Sequence, residues 1–146
     1  MPITTGHVGI NVTNLERASD FYSSALGLTR TGGSDEAPRR YAFLGDGTRL
    51  VLTLWEQSEG RFDAARPGLH HLSFHLPSLD EVRSAEKRLL GLGATFVYDG
   101  VVPHSEGSDS GGIFFEDPDG TRIELFTTSG IAGSKAPSDA PSCGFF

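Results

Sequence analysis

An internal repeat is the feature that most constrains what this chain can fold into. Hydrophobic periodicity and turn residues in the first half predict a strand, a helix and three further strands, at residues 7–12, 15–26, 28–32, 40–45 and 49–55. The second half predicts the same succession, at residues 70–76, 79–92, 94–98, 112–116 and 122–128. Both halves are therefore β-α-β-β-β units, and we predict an α+β fold with two βαβββ modules in tandem, whose curved mixed sheets surround a cleft.

The residues at the helix ends support this division. Asn14 is placed to cap the first helix, and Gly27 to end it. Ser78 and Glu81 have the spacing of a capping box at the start of the second helix, whose expected buried stripe runs from Leu79 to Leu90. The same Gly-Thr-Arg sequence leads into the last strand of each module, at residues 47–49 and 120–122, so the final hairpins of the two modules also match.

We assign residues 1–128 to a single domain, with the first module at 5–56 and the second at 69–128. Residues 129–146 are rich in Ser, Gly, Ala and Pro, which is the composition of a flexible tail. The tail nevertheless ends in Phe145-Phe146, so docking of this aromatic end on the domain remains the alternative.

Charge and composition narrow the class of protein. The chain has 146 residues and a net charge of −7, with 12 Lys and Arg against 19 Asp and Glu, which argues against nucleic-acid binding. The single cysteine, Cys143, excludes an internal disulfide and fits a reducing compartment. The amino terminus lacks a secretion signal, and no apolar run has the length of a membrane helix. These features predict a cytoplasmic protein without nucleic-acid or membrane partners.

Strand alternation brings two histidines and a carboxylate to one face. Side chains along a strand point alternately to opposite faces. If the apolar residues of each strand lie under the helix, His7, His71 and Glu124 lie on the other face, which we call the non-helix face. Two imidazoles and one carboxylate suit iron(II) first, and also manganese, nickel, cobalt or zinc, and they leave coordination positions open for a substrate. We therefore predict a divalent metal site.

Structural roles for the same residues remain the alternative. A histidine at the start of a strand is often held by hydrogen bonds alone, and Glu124 could pair with Arg49 or Arg122 instead of a metal. The repeat favours the metal site, because His7 and His71 occupy equivalent positions in the two modules.

Further candidates surround the expected cleft. His104, in a loop rich in Gly and Ser, is a candidate general acid or base, with a solvated loop residue as the alternative, and Tyr98 is a second candidate proton donor. His70 is expected to point away from the site. The candidate substrate-binding residues are Asn11, Tyr41, Val51, Trp55, His75 and Phe126, with ordinary packing as the alternative for the aromatic ones.

Three segments resemble the vicinal oxygen chelate superfamily, which includes glyoxalases, bleomycin-resistance proteins and extradiol dioxygenases. They are GHVGINVTNLERASDFYSSALGL, LHHLSFHLPSLDEV and FFEDPDGTRIELF, and together they extend over most of residues 5–128. The resemblance implies paired βαβββ units with a metal cleft, metal ligands at His7, His71 and Glu124, a small-molecule substrate and a homodimer. In some members of the superfamily the partner chain completes the cleft.

The resemblance also limits which reactions of the superfamily we expect. Glyoxalase I and a related epimerase carry a fourth Glu or Gln ligand on the last strand of the first module, where alignment of the two GTR segments puts Val51. Glu56 lies five residues further on, so strand alternation sends it to the other face unless a bulge intervenes. We therefore expect a metal-dependent enzyme with dioxygenase-like chemistry. The alternatives are a glyoxalase-like lyase or isomerase, a thiol transferase, and a non-catalytic protein that binds an antibiotic or aromatic ligand.

Overall fold

The computed structural model describes residues 1–133, which fall into two compact units, Met1–Arg61 and the described residues from Phe62 onward. The expected flexible tail or aromatic docking therefore lies mostly outside the described residues. Within them, Ile131 is fully buried and the backbone N–H groups of Gly130 and Ala132 donate to Asp109. None of the helices in residues 1–133 is both long enough and apolar enough to cross a membrane.

The first unit contains one helix and a four-stranded mixed sheet. Its elements are β1 (Val8–Val12), α1 (Leu15–Leu26), β2 (Thr29–Ser34), β3 (Tyr41–Gly45) and β4 (Leu50–Glu56). The strand order is β1-β4-β3-β2, in which β1 and β4 are parallel and the other pairs are antiparallel.

The second unit repeats this plan with a five-stranded sheet. Its elements are β5 (Leu72–His75), α2 (Leu79–Gly91), β6 (Thr95–Phe96), β7 (Val102–Pro103), β8 (Gly111–Glu116) and β9 (Arg122–Thr127). The order is β5-β9-β8-β6, with β7 also paired to β8, and β5 and β9 are parallel. The predicted α+β class and both βαβββ modules are confirmed. Only β7 lacks a prediction, because two residues are too few to give a periodic pattern.

Polar groups fix the two helix starts as expected. The Asn14 side chain accepts from the Arg17 N–H at 2.9 Å, and Ser78 accepts from the Glu81 N–H at 3.3 Å. Glu56 adds a contact that the sequence did not suggest, since its carboxylate accepts from the Leu15 N–H at 2.8 Å. Glu56 therefore points to the helix side of its sheet, in agreement with strand alternation.

Each helix covers one face of its own sheet, and the buried face of α1 includes the aromatic rings of Phe21 and Tyr22. In α2 the buried residues are Val82, Ala85 and Leu89. Leu90, which was expected in this stripe, is 62% exposed. The reason is helical geometry, because successive residues are about 100° apart and Leu90 is turned away from the face that carries Leu89.

A glycine substitution tests the register of the second sheet. In Gly112→Ala the added Cβ would fall 2.6 Å from Phe126 Cα and against the Leu125 carbonyl, so β8 and β9 would have to separate. We expect a loss of about 3 kcal/mol or more in the free energy of unfolding, measured by urea denaturation. The control is Gly91→Ala, which meets nothing within 4 Å at the end of α2 and should be neutral or slightly stabilising. Equal stability of the two variants would contradict the register.

Candidate functional site

A buried carboxylate organises the non-helix face of the second unit. Glu124 lies in the middle of β9 and is completely buried. Its register partners are Ser73 on β5 and Phe114 on β8, so all three side chains lie on the same face. The Ser73 hydroxyl donates to Glu124 Oε2 at 2.8 Å. A buried carboxylate requires such partners, because burial without them is strongly unfavourable.

His104 makes the shortest contact with this carboxylate. Its Nε2 atom hydrogen-bonds to Glu124 Oε1, and its Nδ1 atom lies 2.9 Å from the Ser110 hydroxyl. Ser110 in turn lies 3.0 Å from the Ser108 hydroxyl. Both ring nitrogens of His104 are thus engaged, Nδ1 by Ser110 of the loop between β7 and β8 and Nε2 by Glu124 of β9, and the side chain is only 13% exposed. The alternative expectation of a solvated loop histidine is wrong.

His71 approaches the other carboxylate oxygen. Its Nε2 atom lies 3.8 Å from Glu124 Oε2, which is longer than a hydrogen bond. Its Nδ1 atom lies 2.8 Å from Nδ1 of His70, so one of the two rings carries the proton between them. His70 thus contacts His71 at Nδ1, whereas Glu124 is approached by Nε2, and the expectation that His70 points away from the site stays a prediction. Both histidines precede β5, and strand alternation does not extend to them.

Burial and charge act together on His71. Desolvation lowers the pKa of His71 below its ordinary value, the Glu124 carboxylate opposes this shift, and His70 and Arg122 add to it. A lowered pKa keeps the imidazole neutral near pH 7, and a neutral imidazole is the form that binds metal ions.

Aromatic rings surround the same face. Phe126 has its ring centroid 5.2 Å from that of His75 and 5.5 Å from that of His104. Tyr98 packs edge-on against Phe114 at 5.6 Å, next to the strand position of Glu124. The structure thus brings His71 and His104 to Glu124, and Phe126 packs between the rings of His104 and His75.

The first unit carries an aromatic cluster on its corresponding face. Tyr41 and Trp55 stack with centroids 5.1 Å apart, and Phe43 packs against both rings. The Trp55 indole N–H donates to Thr53 Oγ1 at 2.9 Å. Among the other candidates of this unit, His7 immediately precedes β1 and is exposed, Asn11 is exposed on β1, and Val51 is half-buried on β4.

The register corrects the alignment that related Val51 to Glu124. Gly9, two residues after His7, pairs with Thr53, and Ser73, two residues after His71, pairs with Glu124. Thr53 is therefore the structural equivalent of Glu124. The conclusion about a fourth ligand is unchanged, because a threonine hydroxyl is not the Glu or Gln of the glyoxalase pattern.

In residues 1–133, no group of three or more His, Cys, Asp or Glu side chains is arranged to hold a metal ion. The chemistry of the donors is nevertheless suitable, since a neutral imidazole nitrogen and two carboxylate oxygens face each other at His71 and Glu124. The third predicted ligand, His7, belongs to the first unit.

Sequence reasoning missed the roles of Ser73 and Ser110. Ser73 could have been found, because it shares a strand face with His71 and its strand pairs with that of Glu124. The contact of Ser110 with His104 depends on the shape of the loop from Pro103 to Gly111, which carries no periodic signal.

The pKa shift of His71 leads to a test on the metal-free protein. We expect its imidazole to titrate below its ordinary value of 6.5, measured by NMR of the ring protons. Because the folded-state pKa is lowered, the contribution of His71 to stability should be present above pH 6.5 and decline as the pH falls through the folded-state value. A titration midpoint of His71 at or above pH 6.5 would contradict the expectation that desolvation lowers its pKa more than the Glu124 carboxylate raises it.

Comparison with known proteins places the chain among relatives of diverse activity. A curated relative from Bacillus sp. (strain MD1), a trivalent organoarsenical cleaving enzyme, is 27% identical over 122 residues, which are 84% of this chain and 71% of the relative. A glyoxylase/bleomycin resistance protein/dioxygenase domain from Frankia sp. EAN1pec superposes with a TM-score of 0.73 at 23% identity, covering 88% of this chain and 99% of that chain.

A second solved structure is that of the fosfomycin resistance protein FosX from Listeria monocytogenes, in a mutant form complexed with manganese(II) and 1S,2S-dihydroxypropylphosphonic acid. It superposes with a TM-score of 0.66 at 18% identity, and the match covers 88% of this chain and 95% of that chain. At these identities the two structural matches establish the fold alone. The family model for the Glyoxalase/Bleomycin resistance protein/Dioxygenase superfamily matches residues 4–125. With most of its length matched by that model and both modules present in its fold, the chain belongs to the Glyoxalase/Bleomycin resistance protein/Dioxygenase superfamily.

Proposed function

We propose that this protein is a metal-dependent enzyme that acts on a small organic molecule with two adjacent oxygen atoms. His7, His71 and Glu124 would hold a divalent metal ion, iron(II) first and manganese(II), nickel(II), cobalt(II) or zinc(II) as alternatives. The observation that carries this proposal is the complete burial of the Glu124 carboxylate with His71 Nε2 at 3.8 Å. A site that buries a carboxylate beside imidazole groups is suited to a cation.

The evidence for each ligand is different. His71 and Glu124 are supported by their proximity within the second unit and by the lowered pKa of His71. His7 is supported by the repeat, since it precedes β1 as His71 precedes β5. The FosX relative, which was crystallised with manganese(II), supports a divalent metal in this superfamily. When bound, such an ion would act as a Lewis acid or, if it is iron(II), activate oxygen.

His104 is the residue to which we assign proton transfer. Its Nδ1 atom is engaged by Ser110, which directs Nε2 to Glu124 at the centre of the site. A side chain oriented in this way can accept a proton from a substrate hydroxyl or return it to a product. Tyr98 is a second candidate, since it packs on Phe114 beside Glu124. The proposed substrate contacts are Asn11, Tyr41, Val51, Trp55, His75 and Phe126.

Dioxygenase-like chemistry is our first choice of reaction, because a site with three protein ligands leaves room for both a substrate and oxygen. Lyase, isomerase and thiol-transfer reactions are the alternatives. The relative that cleaves trivalent organoarsenicals supports a bond-cleaving reaction as one of them. We further propose that the protein acts in the cytoplasm as a homodimer.

A second candidate function is non-catalytic binding of an aromatic molecule or antibiotic. The stacked pair of Tyr41 and Trp55, with Phe43 beside it, favours this candidate. An aromatic ligand can stack on the rings of such a cluster or pack against their edges. Gly9 lets the Thr53 and Trp55 side chains lie close to β1, since an added Cβ would fall 3.1 Å from Thr53 Oγ1 and 3.6 Å from the Trp55 indole nitrogen.

Metal content tests the lead proposal. After dialysis against manganese(II) and removal of free metal, the unaltered protein should retain metal, measured by inductively coupled plasma mass spectrometry. Glu124→Gln should lower the affinity by about 100-fold or more, because the amide keeps a partner for Ser73 but removes the charge. Glu59→Gln, at an exposed position of the first unit, is the matched control. Full metal retention by a folded Glu124→Gln protein would overturn the assignment.

The fluorescence of Trp55, the only tryptophan, separates the two candidates. Catechol combines an aromatic ring with two adjacent oxygens and should quench this fluorescence in a saturable way. For the enzyme, we expect quenching by manganese-loaded protein to weaken at least tenfold after chelation of the metal. Quenching that is insensitive to the chelator would favour the non-catalytic candidate, and an iron(II)-loaded protein that then consumes oxygen with catechol would identify dioxygenase chemistry.

A further inference from the structure

A cavity lies in the first unit, beside the start of α1. Its volume is about 590 Å³, which is within the usual range for small-ligand sites. Its lining comes from the amino-terminal half of α1, the segment before it, and the ends of neighbouring strands. It contains none of the residues assigned above to the metal or the substrate.

On the strand side of this cavity, the charges of the arginine and carboxylate side chains cancel. Arg30 Nη1 lies 3.0 Å from Asp35 Oδ1, and Arg40 Nη1 lies 3.6 Å from Glu56 Oε1. Each guanidinium group is thus matched by a carboxylate. Glu56 also accepts the first backbone N–H of α1, from Leu15, so this helix start already has an anionic partner.

The helix side carries the remaining negative charge. Glu16, Ser19, Asp20 and Ser23 line the cavity, and their spacings of three and four residues place them on one face of α1. The cavity as a whole has two more carboxylates than guanidinium groups, and both belong to this helix face. Such a surface attracts a ligand with positive charge.

Ser19 provides an independent sign of a ligand. It is 8% exposed and lines the cavity, and its Oγ atom is buried without a hydrogen-bond partner in the described part of the chain. A buried hydroxyl without a partner is unfavourable, and most such groups in native proteins are satisfied. An N–H donor in the cavity could satisfy the Ser19 oxygen.

We propose that this cavity binds an aliphatic polyamine. One ammonium group would pair with the Asp20 carboxylate and donate to Ser19 Oγ, and a second would pair with Glu16, one helical turn away. The methylene chain between the charges fits a site whose two acidic groups are separated along a helix. The site is independent of the proposed enzyme activity.

Calorimetric titration of the full chain with spermidine at physiological salt tests this proposal. We expect saturable binding of one molecule per chain, and at least tenfold weaker binding of n-butylamine, which has one ammonium group. Asp20→Asn should weaken spermidine binding about tenfold or more, whereas Asp80→Asn, at an exposed position of α2, should leave it unchanged. Absence of saturable binding, or equal binding by both aspartate variants, would overturn the proposal.

The variant Ser19→Ala distinguishes a role of Ser19 in ligand binding from a role in the stability of the fold. Removing an unpartnered buried hydroxyl should keep or raise the melting temperature of the ligand-free protein. The same variant should bind spermidine several-fold more weakly. A lowered melting temperature together with unchanged binding would mean that Ser19 serves the fold and would contradict its role in the cavity.

Discussion

Parallel pairing of the first and last strands of each module is the constraint on which the site depends. β1 pairs with β4 and β5 with β9, although each pair is separated by a helix and at least one other strand. The helix packs on one face of this pairing, so the other face is left for polar residues from distant parts of the sequence. Ser73 and Glu124 become neighbours in this way, 51 residues apart in the chain.

Burial of Glu124 determines the structure around it. An ionised carboxylate without partners would destabilise the fold, and the second unit surrounds this one with the Ser73 hydroxyl and the rings of His71 and His104. Holding these partners in place requires the loop between β7 and β8, where Ser110 engages the far side of the His104 ring. The contacts that satisfy the carboxylate also arrange candidate ligands and a proton-transferring group, so stability and the proposed chemistry depend on the same residues.

The sequence predicted the modules well because periodicity, helix caps and glycines agree in both halves. It predicted that His71 and Glu124 lie near each other because the strand that follows His71 pairs with the strand of Glu124, although strand alternation itself does not extend to His71. It did not predict the contact between His104 and Glu124, since an irregular loop has no period that relates its side chains to a sheet. The error at Leu90 has another cause, since this residue lies one position beyond the buried stripe and is turned away from it.

The two modules carry different side chains at equivalent strand positions of their non-helix faces. Gly9, Thr53 and Phe43 occupy the strand positions that Ser73, Glu124 and Phe114 occupy in the second unit. Thr53 is neutral and is satisfied by the Trp55 indole of its own strand, so the first unit needs no imidazole at this position. Replacement of the carboxylate by a threonine leaves the aromatic cluster of Tyr41, Phe43 and Trp55 as the main feature of that face. The repeated fold therefore carries a buried carboxylate with imidazole partners in the second unit and an aromatic cluster in the first.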